Sequence, residues 1–569
     1  MLKKYLKEYR ILMIVAVVLV FFQVWSMLAQ PGVISDIISE LSKVNIDKDA
    51  VYKLGFELVG LGLVGLIAGV VNTIIAAKIS QGIGARIRED GFKIIQGLSF
   101  QDIEKFSTSN LVVRLTNDVT QVQNMLMMGI QMLLRVPFLF VGAFVLAIMT
   151  LPRLWWTIIL FVVIIVLITM FMMKALTPRF KSIQGSVDTI NTIVKENIDG
   201  VRVVKSFVAE KHEGQRFDDE TDKLTDNLIA TGRTFASLIP VYMLTANLLV
   251  AFAIYFVAGW ALDDVSLIGD VVSFTTYVMQ IMFAIIMAGF LMMTMSRAFV
   301  SAGRISEVLD AKPSFGFGND SLQQVDTLDF KNVYFKYEGE DDYALEDISF
   351  SVKKGEKIGV VGATGSGKTT LVQLIPRLYD IEKGEIAING QSISTYNAKS
   401  LRENISMVLQ KAHLFSGTIK EVVLQGNSTA STLDVEIASK RAQAFEFIQK
   451  KEGKFEGEVY QKGANFSGGQ KQRLSIARGL VKDPEILILD DSTSALDAKS
   501  ENLVKEAINK EFEGVTTFIV AQKISSVLDT DKIIVLADGK VDAIGKHKDL
   551  IKTSVAYREI YETQKGKEE

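Results

Sequence analysis

The run Gly362-Ala-Thr-Gly-Ser-Gly-Lys-Thr-Thr370 sets glycines at 362, 365 and 367 ahead of Lys368, Thr369 and Thr370. Glycine permits the positive φ of a tight loop, so successive backbone N–H groups can face one anion. The apolar Lys357-Ile-Gly-Val-Val361 precedes the run, and a helix-like segment, 371–378, follows it. The loop therefore opens a helix whose N-terminus adds positive partial charge. The spacing is that of a phosphate-binding loop, G-x-x-x-x-G-K-[ST]. The candidate nucleotide-binding set is Gly362, Thr364, Gly365, Ser366, Gly367, Lys368, Thr369 and Thr370. Lys368 is expected to reach the β- and γ-phosphates and Thr369 to ligate Mg²⁺.

A second candidate is the pair Asp490-Asp491, delivered by Ile486-Leu-Ile-Leu489. Four apolar residues in a row predict a buried strand. An aspartate ending such a strand can help hold Mg²⁺, and that position is Asp490. A carboxylate one residue later can orient or activate an attacking water, and that position is Asp491.

These residues need a scaffold, and the chain is long enough for more than one. It has 569 residues and formal charge −3, which gives no sign of a nucleic-acid partner. It has no cysteine, which excludes disulfides, thiolate metal sites and a cysteine nucleophile. Near residue 300 the composition changes from long apolar runs to an ordinary soluble pattern. The apolar runs near 11–29, 54–77, 126–149, 154–176, 235–260 and 271–295 are each about long enough to cross the hydrocarbon layer. The first follows Lys3 and Lys4 but is long for a signal peptide, and five more follow it.

Basic residues gather at the N-terminal tip, in 79–125 and in 173–233, whereas 261–270 carries Asp263, Asp264 and Asp270 and no basic residue. Both chain ends are therefore expected on the cytoplasmic side of a cell membrane. Trp25, Trp155, Trp156 and Trp260 fall near the outer ends of spans, where amphipathic rings settle. The long cytoplasmic loops keep helical apolar spacing and should continue the spans as helices. The turn-rich Ala311–Ser321 marks a linker. The expected division is a membrane domain over 1–310, a linker over 311–325 and a nucleotide domain over 326–569. The first is an all-α six-helix transmembrane domain with long cytoplasmic extensions, and the second an α/β P-loop domain with a helical subdomain.

Between the two phosphate-site motifs lies Asn465-Phe-Ser-Gly-Gly-Gln470, followed by Lys-Gln-Arg-Leu-Ser. With 362–369 and 486–497 it resembles the ATP-binding cassette (ABC) transporter family, and the resemblance covers the whole chain in the exporter arrangement of paired halves. It implies ATP and Mg²⁺ as cofactors. It implies that Tyr337 stacks on adenine, that Gln410 links Mg²⁺ to the membrane domain, and that Thr369, Gln410 and Asp490 serve the metal. Ser467, Gly468, Gly469 and Gln470 match the signature that closes over ATP held by another subunit, with Phe466 in place of the usual leucine. Asp497 matches the D-loop aspartate. Segments 114–128 and 200–217 resemble exporter loops that dock onto ATPase domains.

Three further positions depart from the family pattern. Asp491 stands where glutamate is usual, Gln522 where the switch histidine is usual, and Gln461 where another glutamate precedes the signature. Aspartate is one methylene shorter than glutamate, and a displacement of about 1 Å can cost roughly a hundredfold in rate. Gln522 has no titratable ring. The resemblance then implies the degenerate-site half of a heterodimeric bacterial multidrug exporter. Its partner would be a second half-transporter bearing the glutamate and the histidine.

The substrate signal is weaker. Met279, Met282 and Met287, with Phe283 and Phe290, fall in the sixth span beside Met292, Met293 and Met295. Flexible thioethers suit a pocket for varied lipophilic ligands, but they equally fill gaps between helices. Arg135 lies within or near a span and could face the bundle interior or reach water. Two other readings stay open: an exporter of one lipid or peptide, and a non-transporting ATP-sensing membrane subunit.

Overall fold

The computed structural model describes residues 2–43, 45–261, 264 and 266–565; the side chains of 290, 292–294, 296 and 565 are outside that description. Phe290, Met292, Met293 and Asp263 therefore lie outside what can be placed. The chain divides into two compact units: Met1–Lys93 with Leu111–Asp310, and Ile94–Asn110 with Ala311–Glu569.

Among the described residues six helices are long and apolar enough to cross a bilayer: Leu2–Leu41, Lys48–Gly97, Thr108–Thr150, Pro152–Asp199, Glu210–Trp260 and Leu267–Gly289. Lys48–Gly97 has 50 residues, which at 1.5 Å per residue is about 75 Å, more than twice a hydrocarbon layer. The excess length is the helical extension that the loop periodicity implies.

Inside a bilayer each backbone group must find a partner in the protein. Pro31 lies within the helix Arg10–Leu41 and has no N–H, so the Met27 carbonyl loses its intrahelical partner. Gln280 Nε2 donates to that carbonyl at 3.1 Å. Tyr277 donates its hydroxyl to the Leu28 carbonyl at 3.0 Å, and Ser273 donates to the Pro31 carbonyl. Residues 273, 277 and 280 recur at helical spacing and share one face of Leu267–Leu309. The proline in one span is thus answered by a polar stripe on another.

Segment 114–128, which resembles an exporter docking loop, groups with the first unit. Asp118 is buried there, accepting from Ser301 Oγ at 2.8 Å and Arg304 Nε at 2.9 Å. The segment that groups with the second unit lies just before it, Ile94–Asn110, and contains the short helix Phe100–Phe106. Its sequence lacks a long apolar stripe, and Ser99 caps it reciprocally with Asp102.

Among its described residues the second unit has three sheets, the smallest pairing Gly417–Thr418 with Glu458–Val459. A four-stranded antiparallel sheet takes Leu345–Lys353, Thr327–Phe335, Lys383–Ile388 and Gln391–Ser392 in that order. A six-stranded sheet runs Lys540–Gly545, Lys532–Ala537, Lys357–Gly362, Thr516–Val520, Ile486–Asp490, Ile405–Val408. Its last five strands are parallel. All five residues of Ile486–Asp490 are buried, as two-sided burial in a parallel sheet requires. Helices Ile419–Leu424, Thr432–Arg441, Phe445–Lys450 and Gly468–Leu480 build a second apolar core, including Val423, Val435, Ile448 and Leu474.

Candidate functional site

Three neighbouring parallel strands end together. Lys357–Gly362 and Ile486–Asp490 flank Thr516–Val520, with Val520 in register with Val360 on one side and Asp490 on the other. Ligand crevices form at such carboxyl edges. Here the edge opens into a cavity of about 320 Å³ lined by Tyr337, Lys368, Thr369, Thr370, Gln410, Asp490, Asp491 and Gln522, together with Thr364, Gly365 and Gly367.

The loop 362–367 is shaped by its glycines. Gly362, Gly365 and Gly367 have φ of 158°, 85° and 93°. A Cβ on Gly367 would stand 2.7 Å from Leu345 and 2.8 Å from the Ala344 carbonyl, so no larger residue fits. At Gly365 the same direction meets nothing within 4 Å, which leaves the backbone bare toward the cavity. Ser366 Oγ is buried and has no hydrogen-bond partner among the described residues. An orphaned hydroxyl beside a bare glycine loop and the N-terminus of Lys368–Leu374 suits a phosphate chain.

Lys368 Nζ donates to the Gly362 carbonyl at 2.9 Å and to the Ala363 carbonyl at 2.7 Å. Burial pulls its pKa below the usual lysine value, opposed by Asp491 and Asp490. The ammonium is thus desolvated and held at the mouth of the loop.

The two aspartates have different partners. Asp490 is 1% exposed and accepts the Thr369 hydroxyl at 2.9 Å. Burial, and then the neighbouring Asp491, raise its pKa above the ordinary carboxylate value. A buried carboxylate with one hydroxyl partner fits a divalent cation shared with Thr369. Asp491 has φ of 44°, a left-handed conformation that asparagine and aspartate tolerate better than most residues. Its carboxylate accepts from Gln410 Nε2 at 3.0 Å.

Gln522 lines the same cavity. Its backbone carbonyl accepts from Gln564 Nε2 at 2.7 Å, and Gln564 Oε1 accepts the Ile524 N–H at 2.8 Å. One side chain from Val555–Lys565 thus holds the backbone at 522–524 from both sides. Glu501 is a second unforeseen neighbour, accepting from Ser526 Oγ at 2.9 Å and Thr493 Oγ1 at 3.3 Å. Neither has a local motif: each is an ordinary helical polar residue whose importance comes from what lies across from it.

Tyr337 meets Thr370 Oγ1 through its hydroxyl at 2.9 Å and sets its ring edge-on to Phe335 and Tyr379. Ser467 caps Gly468–Leu480: its side chain accepts from the Gln470 N–H, and the Gln470 side chain accepts from the Ser467 N–H at 3.1 Å. Ser467 and Gly468 are exposed, and none of 467–470 lines the cavity at Lys368. Asp497 caps Ala498–Glu511, accepting from the Ser500 N–H at 2.9 Å, and also stands outside that cavity. Phe466 is buried against Phe447 with Lys451 over its ring, so it fills core space.

The membrane residues separate. Met282 is 1% exposed and packed in a core with Ile158, Phe161 and Val278. Met279 and Met287 are partly buried against apolar clusters, whereas Phe283 is exposed. Arg135 starts the helix Arg135–Thr150, two residues before a proline, and its buried Nε has no partner among the described residues.

The chain matches two family descriptions, ABC transporter transmembrane region over 13–285 and ABC transporter over 345–494. It is 36% identical over 565 residues to an uncharacterized ABC transporter ATP-binding protein, YfiB, of Bacillus subtilis (strain 168), covering 99% of this chain and 98% of the relative. It is 35% identical over 376 residues to a putative multidrug export ATP-binding/permease protein, YgaD, of the same organism, covering 65% and 64%. Among solved structures it resembles a bacterial Atm1-family ABC exporter with ATP bound, at TM-score 0.79 and 25% identity over 98% of each chain.

Proposed function

Because this chain belongs to the ABC transporter family and has an exporter's fold, we propose that it is the subunit carrying the slow ATP site of a heterodimeric exporter of drugs or other lipophilic compounds. The observation that carries the reading is the pairing of Asp491 and Gln522 in one cavity with an intact Lys368 loop.

The residues that grip a nucleotide are complete. Lys368 supplies a desolvated positive charge, Ser366 a free hydroxyl, and 362–367 bare N–H groups. Thr369 and Asp490, with Gln410, would hold Mg²⁺, which when bound neutralises charge on the phosphate oxygens. The residues that finish hydrolysis are altered. Asp491 is one methylene shorter than glutamate, and its carboxylate already takes a hydrogen bond from Gln410. Gln522 offers an amide where an imidazole is usual. The site therefore keeps ATP and cleaves it slowly.

An exposed, self-capped signature at Ser467–Gln470 supports a partner whose phosphate loop it would complete. So does the tip after Val201–Ser206, where Phe207 and Val208 are 78% and 80% exposed. Large apolar side chains so exposed favour burial against another surface. ATP binding would close the two cassettes, and hydrolysis at the partner's site would reset them, in an alternating-access cycle with both termini cytoplasmic. The multidrug substrate class is supported by the name of the relative YgaD.

The test is purification of this chain alone and with a second half-transporter that carries the glutamate and the histidine. Phosphate release should be weak from the lone chain and strong from the pair, and the pair should drive ATP-dependent dye uptake into inside-out vesicles. Strong turnover by the lone chain would refute the slow site, and turnover without dye uptake would refute the substrate class.

A further inference from the structure

The short helix Phe100–Phe106 meets the nucleotide unit beside the aromatic residue assigned to the base. Tyr379 lies at the junction. It is 4% exposed, with its ring 5.4 Å from Tyr337 at 87° and 5.9 Å from Phe100 at 66°. Its hydroxyl donates to Glu104 at 2.8 Å. Edge-to-face ring pairs are directional, so a tilt of one ring presses on the other.

Tyr337 cannot turn freely. Its hydroxyl is tied to Thr370 Oγ1 on the helix that follows the phosphate loop, and Phe335 holds its other edge at 5.0 Å. A base stacking on the open side of Tyr337 must therefore be accommodated through Thr370, Phe335 or Tyr379. Phe335 is a buried strand residue locked in the antiparallel sheet. Tyr379 instead lies beyond the end of Lys368–Leu374, in the turn that leads to Lys383–Ile388, and its outer end touches the inserted helix. Burial, and then Glu104, push its phenol pKa up, so it remains a proton donor at neutral pH. Two more contacts tie the helix to the same unit: Lys105 pairs with Glu338, next to Tyr337, at 2.7 Å, and Asp102 accepts the Ser314 N–H at 3.0 Å. The helix is continuous in the chain with Lys48–Gly97, which ends three residues before Phe100.

We propose that Tyr379 is a positioning residue that passes occupancy of the base position at Tyr337 to the helix Phe100–Phe106, by a route separate from Gln410. The proposal rests on the reading above that Tyr337 carries the base. It makes the nucleotide's base, and not only its phosphates, a signal to the membrane helices.

The experiment is hydrogen–deuterium exchange of segment 94–110 in the full pair, with and without ATP and Mg²⁺. In the wild type, nucleotide should slow exchange around 98–107 by about two- to tenfold, the range one net hydrogen bond supplies. Tyr379→Phe keeps the ring and deletes the hydroxyl; it should abolish most of that protection with ATP affinity unchanged, and lower dye transport more than ATP turnover. Glu104→Gln keeps an acceptor oxygen and should retain the protection. Wild-type protection in Tyr379→Phe would overturn the relay while leaving the base assignment standing. Unchanged ATP affinity in Tyr337→Ala would overturn the proposal through its premise.

Discussion

Gln410 donates its side-chain amide to Asp491 at 3.0 Å, while Asp490, one residue earlier, takes the Thr369 hydroxyl at 2.9 Å. The left-handed backbone at Asp491 separates the two carboxylates after a common strand. One is directed to the Thr369 hydroxyl. The other faces the loop that carries Gln410.

Lengthening the second carboxylate should restore hydrolysis. Asp491→Glu with Gln522→His is expected to raise steady-state phosphate release at this chain's site, by up to roughly a hundredfold, the cost of a displacement near 1 Å. The measurement belongs in the pair with the partner's own catalytic glutamate removed, so that only this site is read. An unchanged rate would count against the reach argument.

Lys368→Ala should weaken nucleotide binding to this chain by about ten- to a hundredfold, the range of a hydrogen bond to a charged group. Equilibrium titration of the lone chain with a fluorescent ATP analogue measures it. Folding should survive, since the ammonium's partners are the Gly362 and Ala363 carbonyls at the mouth of the loop.

Substitution in the signature should act on the other subunit. Ser467→Arg is expected to leave ATP affinity at Lys368 unchanged and to lower turnover of the pair by about 10²- to 10³-fold, the scale for losing a transition-state donor. An equal loss of affinity at this chain's own site would place Ser467 in the wrong subunit's site.

Asp490→Asn should stabilise the nucleotide-free protein while abolishing Mg²⁺-dependent tightening of ATP. The sign follows from linkage. Asp490 has its pKa raised by burial and by Asp491, so its favourable contribution is full below the unfolded value and is lost as pH rises through the folded value. At neutral pH the ionised group is a net cost, and asparagine keeps an oxygen for Thr369. Thermal unfolding should rise by about 2–4 °C for each kcal/mol recovered, and the gain should vanish in acid.

The proline in the first span predicts a coupled pair. Gln280→Leu leaves the Met27 carbonyl without the amide that replaces the missing proline N–H. The expected loss is about 0.6–1.7 kcal/mol, the range for interhelical hydrogen bonds in membranes. Pro31→Ala restores an intrahelical donor, so the double variant should lose less than Gln280→Leu alone. Unfolding in detergent for all four proteins closes the cycle, and strict additivity would break the proposed link.

Several features could be read from the residues alone because their causes are local. Glycines at 362, 365 and 367 permit a positive-φ loop wherever they occur, and φ at all three lies on that side. Six apolar runs are long enough for lipid regardless of their neighbours, and six helices of that kind are present among the described residues. Ile486–Leu489 announces a buried strand, and its last residue is an aspartate at the sheet's carboxyl edge.

Other features depend on contacts between residues far apart in sequence, and no local pattern encodes them. Segment 94–110 looks like a continuation of a cytoplasmic helix, yet it groups with residues 311–569 because Glu104, Asp102 and Lys105 find partners there. Gln564 and Glu501 are unremarkable on their own helices and matter only through Gln522, Ile524, Ser526 and Thr493. Met282 has the chemistry of a pocket residue, but helix packing buries it among Ile158, Phe161 and Val278. Residue types determined which chemistries this protein can hold. Which side chain meets which was decided by packing, since burial and hydrogen bonding are settled by the surface that arrives from elsewhere in the chain.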